Sequence, residues 1–128
     1  MSAMSDYLEN EILDHILATG AYTAPTNVYV GLSTASFNDD NSGTELSGSG
    51  YARVEVTFGA AASGTASNNA AVEFSAATGS WGTVSHFGIF DASSAGNLLI
   101  HGAFTSSKVI ESGDILKINT GDLDVTAA

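Results

Sequence analysis

The chain contains no cysteine, which excludes a disulfide framework and any thiolate metal centre and removes the need for an oxidising compartment. Proline occurs once, at Pro25, and basic residues only three times, as Arg53, Lys108 and Lys117, against fourteen acids, giving a formal net charge of −11. Such a surface repels phosphate backbones and anionic lipids, so neither nucleic acid nor membrane is expected as a partner. No apolar run approaches the roughly 18 residues needed to span a bilayer. The opening residues Met1 to Tyr7 carry no basic residue ahead of an apolar core, so they do not read as a secretory signal, and synthesis in the cytoplasm is expected. Catalytic signatures are missing as well. No serine sits in a nucleophile elbow and no glycine loop precedes a helix to cradle phosphate, so the sequence points away from an enzyme and calls for no cofactor.

What remains is a chain of 128 residues, read as one domain spanning 1–128 that can bury roughly two thirds of its unfolded surface. Ser5 or Asp6 can cap a helix, with Glu9 three residues after Asp6, and Leu8, Ile12 and Ile16 follow at helical spacing before Gly20. The spacing predicts a helix over about 6–19, widened on its apolar side by Leu13 and Leu17 and lying on a sheet or on a neighbouring subunit. His15 reads as a boundary residue beside Asp14.

From about residue 27 to 126 the pattern is β. Val28, Val30 and Leu32 alternate, and Tyr51–Phe58 alternates with Ala52, Val54, Val56 and Phe58 on one face and Tyr51, Arg53, Glu55 and Thr57 on the other. Residues 59–71 are all small or polar, suited to extended chain lying close to another backbone. Val72 and Phe74 resume the alternation, and Glu111-Ser-Gly-Asp114 and Asn119-Thr-Gly-Asp122 punctuate later strands as turns. One early helix, turn signals every eight to twelve residues and no βαβ rhythm predict a mainly β fold. It is an antiparallel β-sandwich or jelly-roll-like barrel of about seven or eight strands.

The segment Gly82–Phe104 reads as a hairpin about a polar turn from Asp91 to Asn97. Pairing Phe90 with Asn97 sets Phe87 opposite Ile100, Ile89 opposite Leu98, and His86 opposite His101. The histidine face then also carries Val84, Phe90 and Leu99 and needs cover from the helix or another subunit. A metal on His86 and His101 lacks a third ligand nearby on the same strands, so a buried or half-exposed pair at an interface is expected instead. The loop from Phe37 to Gly50 gathers Asp39, Asp40 and Glu45 and reads as a solvated contact loop, since Asn38–Gly43 lacks the regular spacing of a calcium loop. Trp81 reads as a core anchor at a strand start, with an aromatic sugar platform as the alternative. Candidate assembly contacts are therefore Leu8, Ile12, Ile16, Asp39, Asp40, Glu45, His86 and His101.

Val28-Tyr-Val-Gly-Leu32, Gly50-Tyr-Ala-Arg53, Trp81–Asp91, Gly96-Asn-Leu-Leu99 and Ser112-Gly-Asp114 together resemble a family of small tailed-bacteriophage virion proteins, over most of the chain. Members are described as tail-fibre-like or as head decoration (cement) proteins. The resemblance implies a virion structural protein without catalytic residues. Small size, an acidic surface and the absence of a fibrous repeat favour a capsid decoration protein, a homotrimer on the outer head surface with the major capsid protein as partner. The alternative is a tail, baseplate or tail-fibre component that binds a host glycan or another tail protein.

Overall fold

The computed structural model describes residues 2–127. In chain order they form β1 (Ser2–Met4), α1 (Asp6–Ile16), β2 (Val28–Ser33), β3 (Val54–Val56), β4 (Thr65–Ser67), β5 (Val72–Glu73), β6 (Gly82–Phe90), β7 (Leu98–Ile110), β8 (Lys117–Ile118) and β9 (Asp124–Thr126). Five strands make one sheet in the order β1-β7-β6-β2-β3, while β4 pairs with β9 and β5 with β8. Every pairing is antiparallel. The fold is thus mainly β and sandwich-like, with nine strands among the described residues and the single helix in its expected place. None of its helices is long and apolar enough to cross a membrane.

The main core lies between the large sheet and the β5–β8 ribbon. Val30 and Leu32 of β2, Val84, Phe87 and Ile89 of β6 and Ile110 of β7 meet Val72, Phe74, Leu116 and Ile118. Burying such side chains supplies roughly 1.5–3 kcal/mol each, which holds together ribbons of two or three residues that would not persist alone. Strict alternation would place Val84 with His86 and not with Phe87. The β6–β7 register shifts between Val84 and His86, and this irregularity at Ser85 turns Val84 back to the core. The expectation that Val84 shares the histidine face is corrected for that reason.

The hairpin register also differs from the expected one. Phe90 pairs with Leu98, Ile89 with Ile100, Phe87 with Gly102, His86 with Ala103 and Gly88 with His101. The pairing slides because the register shifts between Ile89 and Phe90, and the loop is closed by the Asp91 amide, which donates to the Asn97 carbonyl (3.2 Å), and by the Asp91 carboxylate, which accepts from the Asn97 amide (2.7 Å). Ala95 and Gly96 take positive φ to close it. His86 and His101 consequently do not face each other.

The strand expected over Tyr51–Phe58 is reduced to Val54–Val56. Ser49 and Gly50 both have positive φ, and the Tyr51 amide closes a turn onto the Gly48 carbonyl (3.0 Å), so Tyr51 departs from the outward position that alternation assigns it. Its ring turns into the core, stacked on Phe74 and edge-on to Trp81. The small-residue stretch behaves as expected, β4 lying against β9. What the sequence concealed there is Asn68, 2% exposed. Its amide donates to the Ala70 and Asn119 carbonyls and its Oδ1 accepts from the Gly121 and Leu123 amides, clipping the last turn to the rest of the chain. β1 and β9 meet nearby, where the Thr126 amide donates to the Ser2 hydroxyl (3.1 Å).

Candidate functional site

The helix is anchored at its start and free at its end. Ser5 is the N-cap, its Oγ accepting from the Leu8 amide (3.2 Å) while its own hydroxyl donates to the Leu98 carbonyl. The Ser5 amide donates to Leu99 and the Asp6 amide to the Asp39 carbonyl, both at 2.8 Å. The helix therefore starts on β7 and on the loop that carries Asp39. The Asp39 carboxylate also meets His101 Nε2 at 2.7 Å, so two candidate residues 62 positions apart come together and hold the loop to the sheet.

Beyond Leu8, which is buried, the expected stripe rises out of the protein. Ile12 is half-buried, and Leu13, Ile16 and Leu17 are 55%, 69% and 66% exposed. The helix stops at Ile16, three residues short of expectation, because Ala18 takes φ 63° and the Thr19 and Gly20 amides turn back to the Asp14 carbonyl. A left-handed residue directly after the cap is a common helix stop, filled here by alanine where glycine is usual. The Tyr22 amide then donates to His15 Nδ1 (3.2 Å), folding the following chain onto the helix. Tyr7 and Tyr22 have phenols raised above their ordinary pKa, first by burial and then by neighbouring groups that include Glu11 and Asp91. The result is a projecting apolar knob on an acidic body.

A second constellation lies across the outer face of the sheet. Arg53 makes a two-pronged ion pair with Glu45, Nε to Oε2 at 2.9 Å and Nη2 to Oε1 at 2.7 Å. Its Nη1 donates to the Ala92 and Ala95 carbonyls at 2.8 Å, and the guanidinium lies 3.6 Å over the Phe90 ring. Tyr51 donates its hydroxyl to Glu45 and accepts the Leu32 amide at 2.9 Å. Burial, followed by that bond to Glu45, pushes the Tyr51 phenol far above its ordinary range. Gly31 and Gly88 pair directly beneath. A Cβ on Gly31 would lie 2.8 Å from Glu45 Oε2, and one on Gly88 would lie 2.9 Å from both Leu98 and Phe90. These glycines make room for the layer above them, where Phe37, Phe90 and Leu98 form a second buried cluster.

This arrangement revises the loop from Phe37 to Gly50. Glu45, expected as a solvated contact, is the counter-ion of Arg53. Phe37 is 1% exposed, the Thr44 carbonyl accepts from Ser33 Oγ, and the Leu46 amide bonds to Leu32 (2.9 Å). Only part of the loop is solvated. Asp40 is exposed, and bonds from Ser42 hold its carboxyl below the usual range. His86 lies opposite Ser33 and Ala103 and shares a bond with the Ser85 hydroxyl (2.7 Å). Trp81 is 6% exposed, donates its indole N–H to the Ser49 carbonyl (2.9 Å) and is the expected core anchor. Buried on these terms, it offers no ring face to a sugar. No group of three or more His, Cys, Asp or Glu placed to hold a metal occurs among the described residues.

A groove of about 490 Å³ lies between β7 and the β8–β9 region. It is floored by Val84, Leu116 and Ile118 and rimmed by Lys108, Lys117 and Asp122. Both exposed lysines of the chain border it, since the third cation, Arg53, is sealed against Glu45.

Residues 3–126 match a family described as podophage GP4 fiber I protein gp80. The chain belongs to this family. The match covers almost the whole length, so the virion structural class implied by the motifs holds and the protein is a phage virion protein. No curated protein matches it. The motifs that carried the resemblance now have physical roles in the family member at hand. Gly31 and Gly88 clear space for the outer layer, Tyr51 and Arg53 hold Glu45, Trp81 anchors the core, and Gly96 closes the hairpin.

Proposed function

We propose that this protein is a fibre component of the phage tail, a structural module that acts by protein–protein contact and performs no catalysis. The observation that carries this reading is the match of residues 3–126 to a fibre protein family. It favours the tail-fibre alternative over the head decoration reading drawn from size and charge. The geometry supports a contact role. The hydrogen-bonded constellations around Arg53 and Asn68 are saturated with structural partners, while Leu13, Ile16 and Leu17 stand exposed on a projecting helix end. That apolar knob is the docking surface for a neighbouring virion protein, since contiguous exposed aliphatics on an otherwise acidic body mark interaction sites. The glycan-binding version through Trp81 is dropped, because the indole is buried.

Quantitative mass spectrometry on virions separated into heads and tails tests the assignment. A small number of copies in the tail fraction is the expected result, and lattice-scale copies in the head fraction would restore the decoration reading. Replacing Leu13, Ile16 and Leu17 by Ser is expected to leave the purified protein folded and to deplete it from the virion. Normal incorporation of that variant would remove the helix end from the contact.

A further inference from the structure

The outer edge of β7 is left open for most of its length. The strand runs thirteen residues, from Leu98 to Ile110, but β1 covers only Ile100–Gly102. Beyond that point β7 has no second neighbour in the sheet among the described residues. Its pairing with β6 is interrupted too, between the His86–Ala103 and Val84–Lys108 partners, so Phe104–Ser107 lack regular partners on either side among the described residues. An open edge of this kind presents unpaired amides and carbonyls to any strand that reaches it, and proteins normally cover or blunt it. Here it borders the 490 Å³ groove.

The charge lining that groove identifies the occupant. Lys108, Lys117, Asp122 and Asp124 all border it, and among the described residues neither lysine has a carboxylate partner. Asp124 is engaged by the Ser67 hydroxyl. A polyanion would meet the aspartates and a polycation the lysines. A surface carrying both signs is complementary to itself, as a two-fold contact requires, because residue i of one copy then meets residue j of the other and the reverse. Two copies of a −11 chain repel over most of their surfaces, and this is where both exposed cations lie.

We propose that two copies of this chain associate through the Ala103–Val109 edge of β7, antiparallel about a two-fold axis near Ser106, with the lysines of each groove facing Asp122 of the other. This deepens the structural reading above by making the building unit a pair, in place of the homotrimer expected with the decoration reading, and it leaves the helix knob free for a different virion protein.

Sedimentation velocity on the purified full-length chain across the micromolar range tests the pairing. The expected mass is twice the 13.0 kDa of one chain, and amide exchange at Phe104–Ser107 slows as the dimer forms. Ser106→Pro removes an edge donor and is expected to weaken the dimer by about tenfold or more with an unchanged far-ultraviolet circular dichroism spectrum. Charge variants keep the test decisive if that substitution perturbs folding. Lys108→Glu with Lys117→Glu, and separately Asp122→Lys, should each lose self-association, and mixing the two proteins should restore a heterodimer. A monomeric wild-type chain, exchange protection confined to the helix, or no pairing between the charge variants would overturn the proposal. A dimer of this kind whose protein is absent from tails would overturn the fibre reading and leave this one standing.

Discussion

Arg53 illustrates what a single residue settles in this fold. One guanidinium satisfies a carboxylate, two carbonyls and an aromatic face at once, a geometry that a lysine cannot reproduce. Arg53→Ala is expected to cost about 2–3 kcal/mol in urea denaturation, below the roughly 3–5 kcal/mol of a fully buried pair because Glu45 keeps some solvent. Arg53→Lys should recover less than half of that loss. Tyr51 makes a prediction of opposite kind. Its phenol is raised in the folded protein, so the neutral form is the one the fold prefers. Its contribution is complete below the unfolded tyrosine value of about 10 and is lost as pH rises above it. Alkaline titration followed at the tyrosinate absorbance band should show one tyrosine ionising only as the protein unfolds, and Tyr51→Phe should abolish that step. Neither role was legible from the sequence. Composition shows that cations are scarce, and alternation shows where Arg53 stands, but the choice of Glu45 among fourteen acids depends on a loop path that local pattern does not encode.

At the level of elements, local chemistry was legible where an element answers to its own residues, and obscure where tertiary packing chose. The helix start, the two Gly-Asp turns and β2 follow from capping, turn chemistry and alternation. The hairpin register did not, because the shift between Ile89 and Phe90 slides the two strands past each other and the irregularity at Ser85 changes which side chains face inward. Both are properties of a pair of strands and not of either strand alone. The paired glycines lead to a prediction at this scale. Gly88→Ala places a methyl 2.9 Å from Leu98 and Phe90, and overpacking of this kind costs about 1–3 kcal/mol. Thermal unfolding should show the loss, while Gly48→Ala, where nothing lies near the added carbon but φ is +75°, measures the backbone contribution alone.

For the whole molecule the controlling quantity is charge. Eleven net negative charges on 128 residues repel one another in the compact state, and added salt screens that repulsion over roughly 8–10 Å at physiological strength. The melting temperature is therefore expected to rise between low and physiological salt. A flat or falling curve would show that local pairs such as Arg53–Glu45 outweigh the global field.

The bond between Thr126 and Ser2 has a practical corollary. A polypeptide that enters and leaves at one corner can be opened elsewhere and rejoined there with a short linker, so a circular permutant begun in the exposed 93–95 hairpin tip should fold. For the same reason, segments joined ahead of Ser2 and after Thr126 emerge from the same corner of the fold, so a short linker between those two points can join two copies in tandem.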